Sequence, residues 1–123
     1  MGNLLSSAIK MQGGSVANPT LTITWNELGT AGATDVYKNG FYFGSPTPSV
    51  PFDVPIVAGD TFYVMVSSEF MGTASYNYYV NGSIIASDFI INGAVVSATY
   101  TAIGTNAYSF TTTTNAELPP PEF

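Results

Sequence analysis

The sequence predicts an all-β protein folded as a single antiparallel β-sandwich, and three observations lead to that prediction. Asn-Gly pairs stand at Asn39-Gly40, Asn81-Gly82 and Asn92-Gly93, each between short runs rich in aromatic and β-branched residues. Such a pair favours a two-residue type I′ hairpin turn, because both central residues of that turn need positive φ. About eight short runs follow one another at the spacing typical of sandwiches, with a jelly roll as the alternative arrangement.

Residues 1–14 are predicted to form an N-terminal arm. Their apolar residues follow a rough helical spacing, and Gly13-Gly14 ends the pattern. A helix of about 12 residues is marginal in isolation. We therefore expect a short helix or an extended arm that docks on its own domain or on a neighbouring subunit through Leu4, Leu5, Ile9 and Met11.

Residues 15–114 form the predicted sandwich domain. The run from Leu21 to Trp25 alternates strictly, so that Leu21, Ile23 and Trp25 share a face that we expect in the core. Residues 35–44 are predicted to form a hairpin around the first Asn-Gly pair. Four prolines between positions 46 and 55 predict an edge segment or a long loop, because proline cannot donate to a central ladder.

The second half of the domain is predicted to begin with the strongest strand, residues 61–66. The two later Asn-Gly pairs then predict a continuous three-stranded meander from Tyr76 to Tyr100. A closing strand over 108–113 would expose its threonines. Residues 115–123 are predicted to be an extended tail, since three consecutive prolines favour polyproline II.

The composition is 46% hydrophobic but only 8% charged, against about 25% charged in an average soluble domain. The surface must therefore be covered mainly by Ser, Thr, Asn, Gly and Tyr. Such a surface repels its neighbours weakly, and it suits a protein that is packed among other proteins, or one that works outside the cell, better than a free cytosolic monomer.

Charge and residue types exclude several classes of function. Lys10 and Lys38 stand against eight carboxylates, without arginine or histidine, so we expect neither nucleic acid nor an anionic membrane as a partner. No apolar run is long enough to span a membrane, and residues 1–11 lack the features of a secretion signal. The acidic residues are spread singly, and cysteine is absent. We therefore expect no enzyme activity and no catalytic, cofactor-binding or metal-binding residue.

Large aromatic rings are expected on both faces of two strands, at Phe41-Tyr42-Phe43 and at Tyr76, Tyr78 and Tyr79. Exposed tyrosines with few charges are typical of protein interfaces and also of sugar-stacking platforms. We favour protein contact, because no cluster of Asp, Asn or Arg accompanies the rings. The predicted interface comprises the arm residues above together with Tyr76, Tyr78, Leu118, Pro119, Pro120, Pro121 and Phe123.

The runs 21–25, 35–40 and 59–64 resemble the Trp-bearing early strand, the next strand and a later strand of immunoglobulin-like and fibronectin type III-like sandwiches. A cysteine-free sandwich rich in Thr, Ser, Asn and Gly, with short arms, is similar to head decoration, tail and fibre proteins of bacteriophages. The resemblance implies a non-enzymatic virion protein that contacts other virion proteins and copies of itself. The alternative is an extracellular or cell-surface module for adhesion or carbohydrate binding, with a glycan as its ligand.

Overall fold

The computed structural model describes residues 18–29, 32–69 and 72–115. The predicted arm and tail contacts lie outside these ranges, namely Leu4, Leu5, Ile9, Met11, Leu118, Pro119, Pro120, Pro121 and Phe123. Strands account for all the regular structure in the described ranges. They are β1 (Thr20–Leu28), β2 (Gly32–Lys38), β3 (Phe41–Gly44), β4 (Phe52–Val54), β5 (Thr61–Ser68), β6 (Thr73–Val80), β7 (Ser83–Ile91), β8 (Ala94–Val96), β9 (Tyr100–Thr101) and β10 (Ala107–Asn115).

The strands form two packed sheets, which confirms the predicted all-β sandwich. The first sheet has the order β3-β2-β5, with β8 and β9 both paired to the other side of β5. The second has the order β4-β1-β10-β6-β7. All pairs are antiparallel except β1 with β10, which are parallel. Such an architecture is compatible with an immunoglobulin-like sandwich.

The core lies between the sheets and follows the period of two expected of strands. Leu21, Ile23 and Trp25 of β1 are buried, as predicted, and alternate residues of β2, β5, β6 and β10 join them. Phe62 of β5 lies at the centre of an aromatic group. Its ring centroid lies 5.3–6.2 Å from those of four other rings, which belong to Tyr78, Tyr100, Tyr108 and Phe110.

Buried polar groups in the core are paired with each other. The indole Nε1 of Trp25 donates to Thr114 Oγ1 at 3.0 Å. The hydroxyls of Thr34 and Thr112, on opposite sheets, are 2.7 Å apart. The prediction that the closing strand 108–113 exposes its threonines is therefore wrong for Thr112, because the strand's alternation turns it inward together with Thr114.

Replacing Thr34 by valine is expected to lower the free energy of unfolding by about 1 to 2 kcal/mol, because the hydroxyl of Thr112 would remain buried without its partner. The double variant Thr34→Val/Thr112→Val is expected to regain most of that loss, since both polar groups are then removed. Urea unfolding of the four proteins in this cycle measures the coupling. A double variant as unstable as the sum of the single variants would contradict the pairing.

Two of the three Asn-Gly pairs form the predicted hairpin turns. Asn39 and Gly40, between β2 and β3, have φ of 52° and 84°, and Asn81 and Gly82, between β6 and β7, have φ of 51° and 82°. Positive φ at both positions is what a type I′ turn requires. These two Asn-Gly pairs therefore account for the two-residue loops between β2 and β3 and between β6 and β7.

Each of these turn asparagines also binds the first residue of a neighbouring strand. The backbone N–H of Asn39 donates to the carbonyl of Thr61, and the N–H of Thr61 donates to Asn39 Oδ1. Asn81 makes the same two bonds with Ala107. The side-chain amide then donates to the residue before that strand, Asp60 in one case and Asn106 in the other. The two turns thus position the starts of β5 and β10 in the same way.

The third pair does not form a hairpin, so the predicted meander is wrong. β7 pairs with β6 up to Ile91, but β8 pairs with β5 in the other sheet. Gly93 lacks the positive φ of a type I′ turn. The backbone N–H of Asn92 donates to Gly72, and the carbonyl of Gly93 accepts from Ser68. Asn92-Gly93 therefore connects the two sheets, and β8 buries Val95 in the core.

Candidate interaction surface

The edge strand β7 carries exposed apolar side chains along its length. Ile84, Phe89 and Ile91 are each at least 50% exposed. They pair with Tyr79, Ser75 and Thr73 of β6, which alternate with the buried residues of that strand, so all three point away from the core. We call these three side chains the β7 apolar strip. Exposed apolar groups arranged in this way are typical of a surface that another protein covers.

Asp88 limits the kinds of contact that the edge strand β7 can make. It pairs with the buried Tyr76, so it occupies an inward-facing position on an edge strand, a feature that opposes pairing with a further strand. Its carboxylate accepts a hydrogen bond of 2.8 Å from the backbone N–H of Phe89. That amide is therefore unavailable to an added strand. The β7 apolar strip is suited to side-chain packing rather than to extension of the sheet.

The outer face of the second sheet next to this strip is polar but uncharged. The parallel pair β1–β10 and the antiparallel pair β10–β6 place hydroxyl and amide side chains in adjacent rows across the three strands. None of the outward residues on these strands is ionisable apart from Tyr79. A partner that covers the β7 apolar strip can therefore extend over β6 and β10 without burying a charge, whereas on β1 the hydroxyl of Thr22 donates to the carboxylate of Asp53 on β4 at 2.8 Å. The rows contain Thr20, Thr22, Thr24, Asn26, Ser109, Thr111, Thr113, Asn115, Thr73, Ser75 and Asn77.

A second exposed region lies on the outer face of the first sheet. Tyr37 and Tyr63 are cross-strand neighbours with their rings stacked, centroids 4.6 Å apart and planes 6° apart. Tyr42 of β3 meets Tyr37 on the other side, at 5.9 Å and 72°. We call Tyr37, Tyr42 and Tyr63 the tyrosine cluster. It was not predicted, although the outward positions of Tyr37 and Tyr63 could have been read from the alternation of 35–38 and 61–66.

A chain of hydrogen bonds borders the tyrosine cluster. Ser45 Oγ donates to Asp35 Oδ1 at 2.7 Å, and the Tyr42 hydroxyl lies 2.8 Å from Ser45 Oγ. Because serine has a single proton and gives it to the carboxylate, the Tyr42 hydroxyl must donate to Ser45. Tyr42 is thereby held in place although it is 59% exposed.

The other two aromatic residues of β3 alternate with Tyr42, so they lie on the opposite face of this strand from the tyrosine cluster. Phe41 is 78% exposed, and Phe43 contacts Phe52 of β4 at 6.1 Å between centroids. The ammonium group of Lys38 lies 5.7 Å from the Phe43 ring centroid. Large rings therefore lie on both faces of β3, as predicted, and all three are at least 40% exposed.

The prediction that Tyr76 and Tyr78 belong to the interface is wrong, because their side chains are only 6% and 2% exposed. They share the inward face of β6 with Ala74, and burial raises the pKa of both phenols. The alternation of small polar residues, Ser75 and Asn77, with these tyrosines was the signal that β6 presents its tyrosines to the core. These two rings cannot contribute to an interface on the folded domain.

A groove of about 880 Å³ with a mainly apolar lining lies beside the first hairpin turn, between the end of β2 and strands β1 and β4. Lys38 Nζ donates to the Pro55 carbonyl at 2.7 Å and lies 3.8 Å from Asp60. Hydrogen bonds from the backbone of Val57 and the side chain of Asn39 lower the pKa of Asp60. These charged groups bind one another and hold the segment before β5 against the turn.

Within residues 18–29, 32–69 and 72–115, no group of three or more Asp, Glu, His or Cys residues is arranged to hold a metal ion. The same ranges contain no helix long and apolar enough to cross a membrane. No protein-family model and no curated protein sequence matches this chain.

Proposed function

We propose that this chain is a non-enzymatic structural protein of a bacteriophage particle, a component of the head, tail or fibre. It acts by contacting other virion proteins and further copies of itself. The observation that carries the proposal is the β7 apolar strip, which is exposed along a complete strand at the edge of the second sheet. Covering a large apolar side chain contributes about 1.5 to 3 kcal/mol. Each side chain of the strip is 50–57% exposed, so covering it contributes about half of that value, and the contact also needs the adjacent face of β6 and β10 to offset the cost of association.

The low charge of the surface supports the same proposal. The chain has two lysines and eight acidic residues in 123 positions, and the outer face of β10 and β6 bears no carboxylate or ammonium group. Copies that approach through this face bury no charge, so the desolvation cost is small. The particle setting rests on the sandwich with flanking segments and on the Thr-, Ser-, Asn- and Gly-rich, cysteine-free composition, which resemble those of bacteriophage structural proteins.

Replacing two residues of the strip, Phe89→Ser with Ile91→Thr, is expected to weaken self-association of the full chain by at least about tenfold, or about 1.4 kcal/mol. The matched control is Ile103→Thr, since Ile103 is 62% exposed but lies in the loop after β9. Light scattering coupled to size exclusion measures the association, and circular dichroism shows that each variant is folded. A wild-type chain that stays monomeric would contradict the proposal. So would an Ile103→Thr control that self-associates as weakly as the strip variant.

The particle setting has its own test. Particles purified from a lysate of cells that carry the gene are expected to contain the chain in constant proportion to the other structural proteins. Quantitative mass spectrometry across a density gradient measures that proportion. A chain found only in the soluble fraction would overturn the virion assignment.

A further inference from the structure

We infer that Asn39 and Asn81 are sites of spontaneous deamidation, and that the hydrogen bonds from each side chain to a neighbouring strand control how fast it reacts. Both residues precede a glycine in a hairpin turn, and the two Asn-Gly pairs are exposed. Asparagine is among the residue types that are least resistant to heat. The inference goes beyond the proposed function, because it concerns the chemistry of the single chain and requires no partner.

The reaction uses only groups of the turn and a water molecule. The backbone nitrogen of Gly40 loses its proton and attacks Cγ of Asn39, while the side-chain nitrogen gains a proton and leaves as ammonia, so that a succinimide ring forms. Water then opens the ring at one of its two carbonyls and leaves an aspartate or an isoaspartate. Glycine favours the attack because it has no Cβ beside the nitrogen. No atom lies within 4 Å of the place where a Cβ would stand on Gly40 or Gly82.

Two hydrogen bonds oppose the reaction at Asn39, and we call them the Asn39 lock. Oδ1 accepts from the backbone N–H of Thr61 at 2.9 Å, and Nδ2 donates to Asp60 Oδ1 at 3.0 Å. These bonds fix the orientation of the amide toward the start of β5. Cγ reaches the nitrogen of Gly40 only when the amide rotates out of that orientation. Both bonds must therefore break before the ring forms.

Asn81 has an equivalent pair of bonds, the Asn81 lock, at the start of β10. Its Oδ1 accepts from the backbone N–H of Ala107 at 2.8 Å, and its Nδ2 donates to Asn106 Oδ1 at 3.0 Å. The two locks are in separate parts of the fold, on separate strands. Each turn is therefore a matched control for the other.

The product of the reaction has different effects at the two turns. A carboxylate at position 39 would place an oxygen where Nδ2 now donates to Asp60, and two carboxylates in hydrogen-bond contact do not both ionise. Lys38 lies 3.8 Å from the other oxygen of Asp60, and it is the only cation in the described part of the chain. At position 81 the new carboxylate would face the neutral amide of Asn106. Deamidation of Asn39 therefore loosens its turn from β5 more than deamidation of Asn81 loosens its turn from β10.

The kinetic experiment follows the full chain at neutral pH in isotopically labelled water. Peptide mapping by mass spectrometry measures, at each site, the loss of the side-chain nitrogen and the uptake of one labelled oxygen. We expect both sites to react at least about tenfold faster in guanidinium chloride than in the folded chain, because unfolding breaks both locks. Reaction at the same rate in the folded and unfolded chains would overturn the inference.

Two variants test each lock, with the other site as the internal control. Asp60→Ala removes the acceptor of Asn39 Nδ2, and it is expected to speed deamidation of Asn39 at least about threefold while the rate at Asn81 stays unchanged. Asn106→Ala is expected to do the reverse. Circular dichroism shows that each variant is folded. The inference is overturned if a folded variant leaves the rate at its own site unchanged, or if it raises the rates at both sites equally.

The effect of the product is measured with Asn39→Asp and Asn81→Asp. In the folded Asn39→Asp variant two carboxylates share a proton, so the folded state keeps that proton at a higher pH than the unfolded state does. Its loss of stability relative to wild type is therefore expected to be larger at about pH 7 than at about pH 4, and larger at about pH 7 than the loss of Asn81→Asp. Urea unfolding measures both. Equal losses in the two variants would overturn the effect assigned to Asp60.

Discussion

Replacing Phe62 by alanine is expected to lower the free energy of unfolding by about 3 to 5 kcal/mol. The side chain is 1% exposed, and four aromatic rings from β6, β9 and β10 surround it. Its loss leaves a cavity between the sheets that rigid neighbouring rings cannot fill. The free energy of unfolding of a domain is only about 5 to 15 kcal/mol, so this substitution removes a large part of it.

The matched control is Phe41→Ala, because Phe41 is the same residue type but 78% exposed on β3. We expect this variant to change the free energy of unfolding by less than about 0.5 kcal/mol. Urea or guanidinium unfolding followed by circular dichroism compares the two. Equal losses in both variants would show that Phe62 is not at the centre of the core.

Gly32→Ala is expected to lower the free energy of unfolding by about 2 to 3 kcal/mol, as an overpacked core does. A Cβ at this position would lie 2.5 Å from Cβ of Thr114 and within 2.8 Å of two further atoms of that side chain. Thr114 cannot turn away without cost, because its Oγ1 accepts the buried hydrogen bond from Trp25. The strain should therefore reach the single tryptophan of the chain.

Gly93→Ala provides the control for this variant. Its added Cβ would lie 3.4 Å from the flexible end of Ile90, and the residue does not have a positive φ. We expect near-wild-type stability for Gly93→Ala, and a changed tryptophan emission spectrum only for Gly32→Ala. Identical unfolding curves and spectra for the two variants would contradict the close approach of β2 to β10.

The features that the sequence predicted correctly are those set by local chemistry. The alternation of Leu21, Ile23 and Trp25 determined which face of β1 is buried, and two Asn-Gly pairs determined two hairpins. The prolines around β4 placed that strand at a sheet edge, as expected of a residue without an N–H. Each of these results depends on residues close together in the chain.

The features that it missed depend on contacts between distant segments. Asn92 has the positive φ expected of it, but a turn residue does not determine which strand the following segment joins, and β8 pairs with β5. The tyrosine cluster requires the register of β2 against both β3 and β5, which no local pattern contains. The hydrogen bonds that the side chains of Asn39 and Asn81 make to other strands are also tertiary contacts. Positive φ alone had been sufficient to explain why asparagine stands at these two positions.

The parallel pairing of β1 with β10 makes the two ends of the sandwich different from each other. Thr20 lies beside Ala107 and Leu28 beside Asn115, so the chain enters the sandwich at one end and leaves it at the other, about 30 Å away. A contact between unlike patches of successive copies is heterologous, and it builds either a closed ring or an open filament. Every subunit in such an assembly points the same way, and its two ends are chemically distinct. Growth would therefore add subunits with a single polarity.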